Sequence, residues 1–183
     1  MFDYLEGEVV EIHDSAISLK IFEGISLLIN VINSDFFLVK NKYKIFTHLF
    51  KTEESLYLYG FLNQTDRFLF SELIKINGIG PKTAINILKK LTSSGLIALI
   101  KSNDINALQK ISSIGNKADR VYYELKNKVL KLESYNFRYQ EVFDALINLG
   151  YPAQKVFVVL DDLQDGLDNS SAIKEAIMRL KNE

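Results

Sequence analysis

The chain has 183 residues, of which 25% are charged, and it contains no cysteine. The missing thiols exclude disulfide bonds, zinc–thiolate sites and a cysteine nucleophile, and two histidines without paired spacing predict no metal site. Acidic residues occupy the N-terminus where a signal peptide carries bases, and no apolar run approaches the roughly 20 residues that span a bilayer. We therefore expect a cytoplasmic protein with no cofactor and no membrane partner.

The net charge of −1 hides an uneven distribution along the chain. Residues 1–63 and residues 132–183 each carry a net charge of −4, whereas residues 64–131 hold 12 basic and 5 acidic side chains, a net charge of +7. A basic middle segment between two acidic ends is typical of a protein that contacts nucleic acid through its centre. The alternative is that these lysines only solvate helix faces.

Residues 1–63 are predicted to form a small antiparallel β-barrel. Val and Ile alternate with polar residues over several short runs, as in strands, and KTEES connects the last two runs as a turn. Five or six strands favour an OB-type barrel, although the strand count leaves other small barrels open. The runs are GEVVEI, SAISLKI, ISLLINVI, NKYKIFTHLF and LYLYGFL.

Residues 64–131 have the apolar spacing of helices and contain a repeated sequence. LIKINGIGPK (73–82) and LQKISSIGNK (108–117) share six of ten residues at an offset of 35. Pro81 stands where a helix would start, a position that suits proline because its missing N–H would be unpaired there anyway. Helical patterns flank both copies, so the repeat indicates one structural unit used twice.

Each copy of the repeat places glycine just before a new helix. Glycine permits a tight turn whose backbone N–H groups converge on one oxyanion, and the helix adds its free N–H groups and positive dipole end. We expect sequence-independent binding of DNA phosphate, with a purely structural turn as the alternative. Neither a Rossmann fingerprint nor a P-loop fits the spacing. The candidate residues are Gly78, Ile79, Gly80, Pro81, Lys82 and Thr83 in the first hairpin, and Ser113, Ile114, Gly115, Asn116, Lys117 and Arg120 in the second.

Residues 138–183 are predicted to form three short helices after a linker at 132–137. The helical runs are RYQEVFDALINLGY, AQKVFVVLDDL and SSAIKEAIMRL. Gly150 and Pro152 are expected to stop the first of them.

The two hairpins are similar to helix–hairpin–helix DNA-binding motifs. They follow LYGF (58–61) and precede ALINLGY (145–151), and FTHLFKTEESLYLYGF (46–61) and LIKINGIGPKTAINIL (73–88) carry the sharpest likeness. With these motifs the chain resembles the RuvA family over nearly its whole length. The resemblance implies an α+β fold with an N-terminal OB-fold barrel, a tandem hairpin domain and a C-terminal three-helix, UBA-like domain.

The resemblance also implies function and partners. It points to a non-catalytic subunit of a bacterial branch-migration complex that holds a Holliday junction open as a homotetramer or an octamer. Its C-terminal domain would contact RuvB, a hexameric ATPase that hydrolyses the ATP. A RuvC-type resolvase is a further partner that we expect.

Glu53 and Glu54 match an acidic pair of the family, which sits on a hairpin tip near the four-fold axis, repels phosphate and helps to part the strands. A solvated turn is the alternative. The second hairpin departs from the family pattern, with Ser113 in place of the usual glycine, Asn116 in place of a frequent lysine, and one residue fewer after Lys117. We expect a weaker phosphate contact there, or a shifted helix start.

A second hypothesis is an enzyme, either a helix–hairpin–helix nuclease or a DNA glycosylase. Such glycosylases need a catalytic Asp at the mouth of a base pocket. Asp104 lies between the hairpins and Asp119 lies after the second one, but the sequence offers neither a recognisable catalytic partner.

Overall fold

A computed structural model of the chain describes residues 2–132, 139–151, 156, 159–160, 163 and 167–181. The chain divides into two compact units, Met1–Ser134 and Tyr135–Glu183. The first unit contains five strands followed by four helices, and the described part of the second is helical. The predicted α+β class is confirmed.

The five strands of the first unit close into a barrel in the order β1-β2-β3-β5-β4. All neighbours are antiparallel except β3 and β5, which pair in parallel at Asn30–Tyr59 and Val31–Gly60. This five-stranded closed barrel confirms the OB-type prediction. The strands are β1 Tyr4–Ile12, β2 Ala16–Phe22, β3 Ile25–Val31, β4 Lys42–Lys51 and β5 Leu56–Phe61.

Gly60 allows the barrel interior to close. A Cβ atom at this position would lie 2.5 Å from Cγ2 of Ile29 and 2.6 Å from Cγ2 of Ile45, and both isoleucines are fully buried. The LYGF motif therefore contains a glycine for a packing reason, because only a hydrogen atom fits between the two methyl groups.

Four helices complete the first unit, with α1 at Gln64–Leu73, α2 at Pro81–Lys101, α3 at Ile105–Gln109 and α4 at Ala118–Leu132. Pro81 opens α2 as predicted, and Gly80 is its N-cap residue. The predicted linker begins within the last turn of α4, at Leu132, and its remaining residues, 133–137, lie outside the described residues.

Helix α2 has the length and apolarity of a membrane-crossing helix, since it has 21 residues and a mean hydropathy of 1.2 over its most apolar window. Two observations favour a core helix instead. The non-helical Thr92, with φ 59° and ψ 165°, divides it. Apolar side chains from both halves, including Ile87, Leu88 and Leu96, are buried.

Helix α1 fastens the hairpins to the barrel. The ring of Phe70 packs against Tyr59 and Phe61 of β5 at centroid distances of 4.9 and 5.0 Å. Arg67 forms an ion pair with Asp3 at 2.5 Å, next to the start of β1. Barrel and hairpins are thus held by both apolar and charged contacts.

The described part of the second unit contains α5 at Gln140–Asn148 and α6 at Asn169–Lys181. Gly150, with φ +88°, ends α5 as predicted, and the N–H of Tyr151 donates to the carbonyl of Leu146 at 3.1 Å. Most of the predicted middle helix lies outside the described residues. Val156, Val159 and Leu160 of that run are helical and buried in the unit's core.

Candidate nucleic-acid interface

The two copies of the repeat begin with the same backbone hydrogen bonds. The N–H of Ile76 donates to Leu73 at 3.0 Å and that of Ile79 donates to Ile76 at 2.9 Å. Thirty-five residues later, Ile111 donates to Leu108 at 3.2 Å and Ile114 donates to Ile111 at 2.8 Å. Ile79 and Ile114 are both buried, so each turn is anchored by an isoleucine side chain. The predicted structural repeat is confirmed to this point.

The first hairpin leaves several N–H groups free at the start of α2. Gly78 takes the left-handed conformation at φ +85°, and Gly80 is extended at φ −89° and ψ 175°. The first bond of the helix is from Ala84 N–H to Gly80 C=O at 2.9 Å. Within the described part of the chain, the N–H groups of Gly80, Lys82 and Thr83 donate to no acceptor.

These free groups make an electropositive end, because the first N–H groups of a helix lack partners and carry its positive dipole. Gly80 and Lys82 are exposed, and the first turn of α2 contains no acidic residue. A Cβ atom built on Gly80 would meet no atom within 4 Å, so the space in front of the turn is open. An oxyanion can therefore reach the backbone directly.

The second hairpin closes differently from the first. Ser113, which aligns with Gly78, is not left-handed, and the positive φ moves to Gly115, at +50°. The N–H groups of Gly115 and Lys117 donate to the turn's own carbonyls, those of Ile111 and Ile114, at 2.9 and 3.1 Å. A 3₁₀ turn over Gly115–Lys117 leads directly into α4. The shorter second hairpin thus uses the N–H groups of Gly115 and Lys117 within its own turn, whereas the equivalent groups of Gly80 and Lys82 are free in the first.

The distribution of charge also favours the first hairpin as the anion site. Asp119 lies in the first turn of α4, where its carboxylate partly offsets the positive end of that helix. A phosphate would meet a like charge here and none at α2. The first hairpin is consequently the better anion site of the two.

Two basic side chains of the second hairpin form hydrogen bonds to the first hairpin. Nζ of Lys117 donates to the carbonyl oxygen of Gly78 at 2.6 Å, and Nη1 of Arg120 donates to that of Asn77 at 3.1 Å. Lys117 is half-buried and Arg120 is exposed. The structure thus brings the two predicted groups of residues together, while their role in DNA binding stays a prediction.

The acidic turn lies at the tip of the β4–β5 hairpin, in the barrel. Thr52 closes the turn, with its N–H donating to the carbonyl of Ser55 at 2.9 Å and its Oγ1 accepting from the N–H of Ser55 at 3.0 Å. Glu53 and Glu54 take no part in these two hydrogen bonds and are exposed. The role of Thr52 in closing this turn had no signal in the sequence.

Both aspartates of the enzyme hypothesis lie at helix starts. Oδ1 of Asp104 accepts from the N–H of Ala107 at 2.9 Å, which makes Asp104 the N-cap of α3. Asp119 is exposed at the start of α4. Among the described residues, no three His, Asp or Glu side chains come together as a possible metal site.

Glu72 is a supporting residue that sequence reasoning missed. Its carboxylate, on α1, is only 8% exposed and contacts Lys75, two residues after the end of α1, and Lys128 on α4. Burial opposes the charge, but the hydrogen bonds from Lys128 and Lys75 outweigh it and lower the pKa of Glu72. This link therefore contributes stability above the ordinary glutamate pKa and loses it as the pH falls through the lowered value.

A closed five-stranded barrel followed by a tandem hairpin with an open, electropositive turn defines a helix–hairpin–helix protein of the DNA-binding class. Residues 1–60 match the family model described as RuvA N terminal domain, and residues 70–127 match the one described as SAM-like Helix-hairpin-helix tandem. The chain belongs to the RuvA family.

Three relatives align with this chain over nearly the whole of both proteins. The chain is 36% identical to the Holliday junction branch migration complex subunit RuvA of Thermodesulfovibrio yellowstonii, over 97% of this chain and 95% of the relative. It is 34% identical to the protein of that name from Pediococcus pentosaceus, over 93% of each. For the Borreliella afzelii protein of that name the identity is 30% over the whole of both chains. The predicted family is confirmed.

Proposed function

We propose that this chain binds Holliday junction DNA in the cytoplasm as the non-catalytic subunit of a branch-migration complex, and that the first hairpin is its principal phosphate site. One observation carries the proposal. The N–H groups of Gly80, Lys82 and Thr83 are free at the open, acid-free start of α2, within a segment of net charge +7. Backbone amides and a lysine bind phosphate oxygen without reading base edges.

The second hairpin supplies further, weaker contacts. Asn116 and Arg120 are exposed, and Arg120 donates to the carbonyl of Asn77 in the first turn. Lys117 has three N–H donors, of which the bond to Gly78 uses one. These groups add positive charge and hydrogen-bond donors along the same basic surface, in line with a duplex backbone that follows both hairpins.

The assembly that we propose is the one that the family resemblance implies. Four copies, or eight in two layers, would surround the crossover, with Glu53 and Glu54 of each copy near the axis. Clustered carboxylates repel phosphate and resist pairing of the strands at the centre. Residues 138–183 would contact the RuvB ATPase, and a RuvC-type resolvase would act on the same junction.

The acidic turn is tested by replacing both residues, Glu53→Gln with Glu54→Gln. Junction affinity is expected to stay the same or rise, since two negative charges are removed, while fluorescence of 2-aminopurine at the crossover falls because its bases stay stacked. Unchanged 2-aminopurine fluorescence in this variant would remove the proposed role.

The proposed function is tested by gel shifts on a four-way junction and on linear duplex of equal length, over a salt series. The junction is expected to bind at least about tenfold more tightly, because four arms engage phosphate sites of several subunits together. The affinity should fall steeply with salt, by a slope of about 0.9 per phosphate contact. Equal affinity for both DNAs would contradict the proposal.

A further inference from the structure

The two hairpins are joined by a pair of side-chain bonds that we name the cross-hairpin brace. Lys117, in the second hairpin, donates to the carbonyl of Gly78 at 2.6 Å, and Arg120, on α4, donates to the carbonyl of Asn77 at 3.1 Å. Both acceptors lie in the first hairpin. Hydrogen bonds from charged donors are about twice as strong as neutral ones.

The brace acts on the backbone segment that sets the conformation of the first turn. Gly78 is left-handed at φ +85°, and the Cε of Lys117 lies 3.3 Å from the position that a Cβ on Gly78 would take. The lysine stem thus packs on the glycine while its ammonium holds the carbonyl. Two residues later the chain reaches Gly80, the first of the free N–H groups.

The brace also has an electrostatic consequence. The exposed carbonyls of Asn77 and Gly78 carry partial negative charge beside a site that is proposed to take phosphate. Lys117 and Arg120 neutralise these two oxygens with positive charge. A turn without the brace would present the same amides next to uncompensated carbonyl dipoles.

We propose that Lys117 and Arg120 are positioning residues: they hold the first hairpin in its phosphate-binding conformation and act on DNA affinity chiefly through it. The inference rests on the proposed phosphate site at α2. A contact in the opposite direction strengthens it, because Lys90 of α2 donates to Oγ of Ser112 in the second hairpin at 2.6 Å. The two hairpins therefore work as one unit, in which the second braces the first.

The first test uses the full chain without DNA. In Lys117→Met the amide resonances of Gly78, Ile79 and Gly80 are expected to shift, and hydrogen exchange of the Ile79 amide, which is bonded to Ile76, is expected to accelerate. Lys117→Arg keeps the donor and is expected to restore both. Lys89→Met removes an exposed charge elsewhere on α2 and is the matched control, with unchanged hairpin resonances. Hairpin resonances in Lys117→Met identical to the wild type would overturn the inference.

The second test is a double-mutant cycle on junction affinity with Lys117→Met and Lys82→Gln. If Lys117 acts through the first hairpin, the double variant loses less affinity than the product of the two single losses, by about threefold or more. Lys89→Met combined with Lys82→Gln should give the simple product. A simple product for the Lys117 pair would overturn the positioning role.

The two tests distinguish failure of the cross-hairpin brace from failure of the proposed phosphate site at α2. If Lys82→Gln and Gly80→Ser bind the junction like the wild type, the phosphate site at α2 is wrong, and the brace has no role in DNA binding even where the spectra show that it forms. If those variants bind the junction weakly and the Lys117→Met and Lys82→Gln losses of affinity simply multiply, the phosphate site at α2 stands and only the positioning role of the brace is wrong.

Discussion

Gly80→Ser is expected to weaken junction binding by about tenfold or more while leaving the protein slightly more stable. Serine is a better N-cap than glycine, by a few tenths of a kcal/mol, since its hydroxyl accepts from an N–H of the first helical turn. That same hydroxyl would occupy an N–H of Lys82 or Thr83, and its Cβ would stand where phosphate approaches. Losing one charge-assisted hydrogen bond, worth roughly 1.5–3 kcal/mol, corresponds to that loss of affinity. Fluorescence anisotropy with labelled junction DNA and urea unfolding measure the two effects.

Gly80→Ser is informative because its expected effects on junction affinity and on stability have opposite signs. Gly80 has an ordinary φ of −89° and open space around it, so a side chain is accommodated without strain. Gly95→Ala, in the second half of α2, is the control, because its Cβ would be 3.5 Å from the nearest atom and far along the helix from the turn. Wild-type affinity in Gly80→Ser would show that phosphate does not approach this glycine.

Gly60→Ala is expected to destabilise the first unit by about 1–3 kcal/mol, the usual cost of overpacking. The added methyl would lie 2.5 and 2.6 Å from the Cγ2 atoms of Ile29 and Ile45. Both belong to the buried barrel core, and protein cores are close-packed. Urea unfolding followed by circular dichroism measures the shift in midpoint.

The control for this second variant is again Gly95→Ala, where alanine replaces a helical glycine and should stabilise by up to about 1 kcal/mol. Comparison of the two substitutions separates packing from backbone preference, since the chemical change is identical. A Gly60→Ala midpoint equal to that of the wild type would mean that the barrel interior is looser than the structure shows.

Local chemistry made much of the fold predictable. Alternating Val and Ile marked all five strands, Pro81 marked the start of α2, and Gly150 marked the end of α5, because each feature depends on near neighbours in sequence. The break in α2 at Thr92 was not predictable in this way. Thr92 accepts from the N–H of Gly95 at 3.3 Å and breaks the helix at a positive φ that threonine seldom adopts.

The candidate site was predictable in location and less so in detail. Six identities in ten residues suggested two equivalent hairpins, and Ser113 with the missing residue after Lys117 indicated a weaker contact or a shifted helix start in the second. The move of the left-handed residue to Gly115 depends on how the shortened turn closes. The sequence also contained no sign that Lys117 bonds to Gly78, 39 positions away. Such a contact depends on tertiary packing that no local pattern encodes.

Amide spectra during titration with a four-way junction test the central claim most directly, since they observe each hairpin separately. The amides of Gly80, Lys82 and Thr83 are expected to shift downfield and to become protected from exchange as phosphate accepts their hydrogen bonds. Those of Gly115 and Lys117, which are already bonded within their turn, should change less. Larger changes at the second hairpin than at the first, or none at either, would contradict the account.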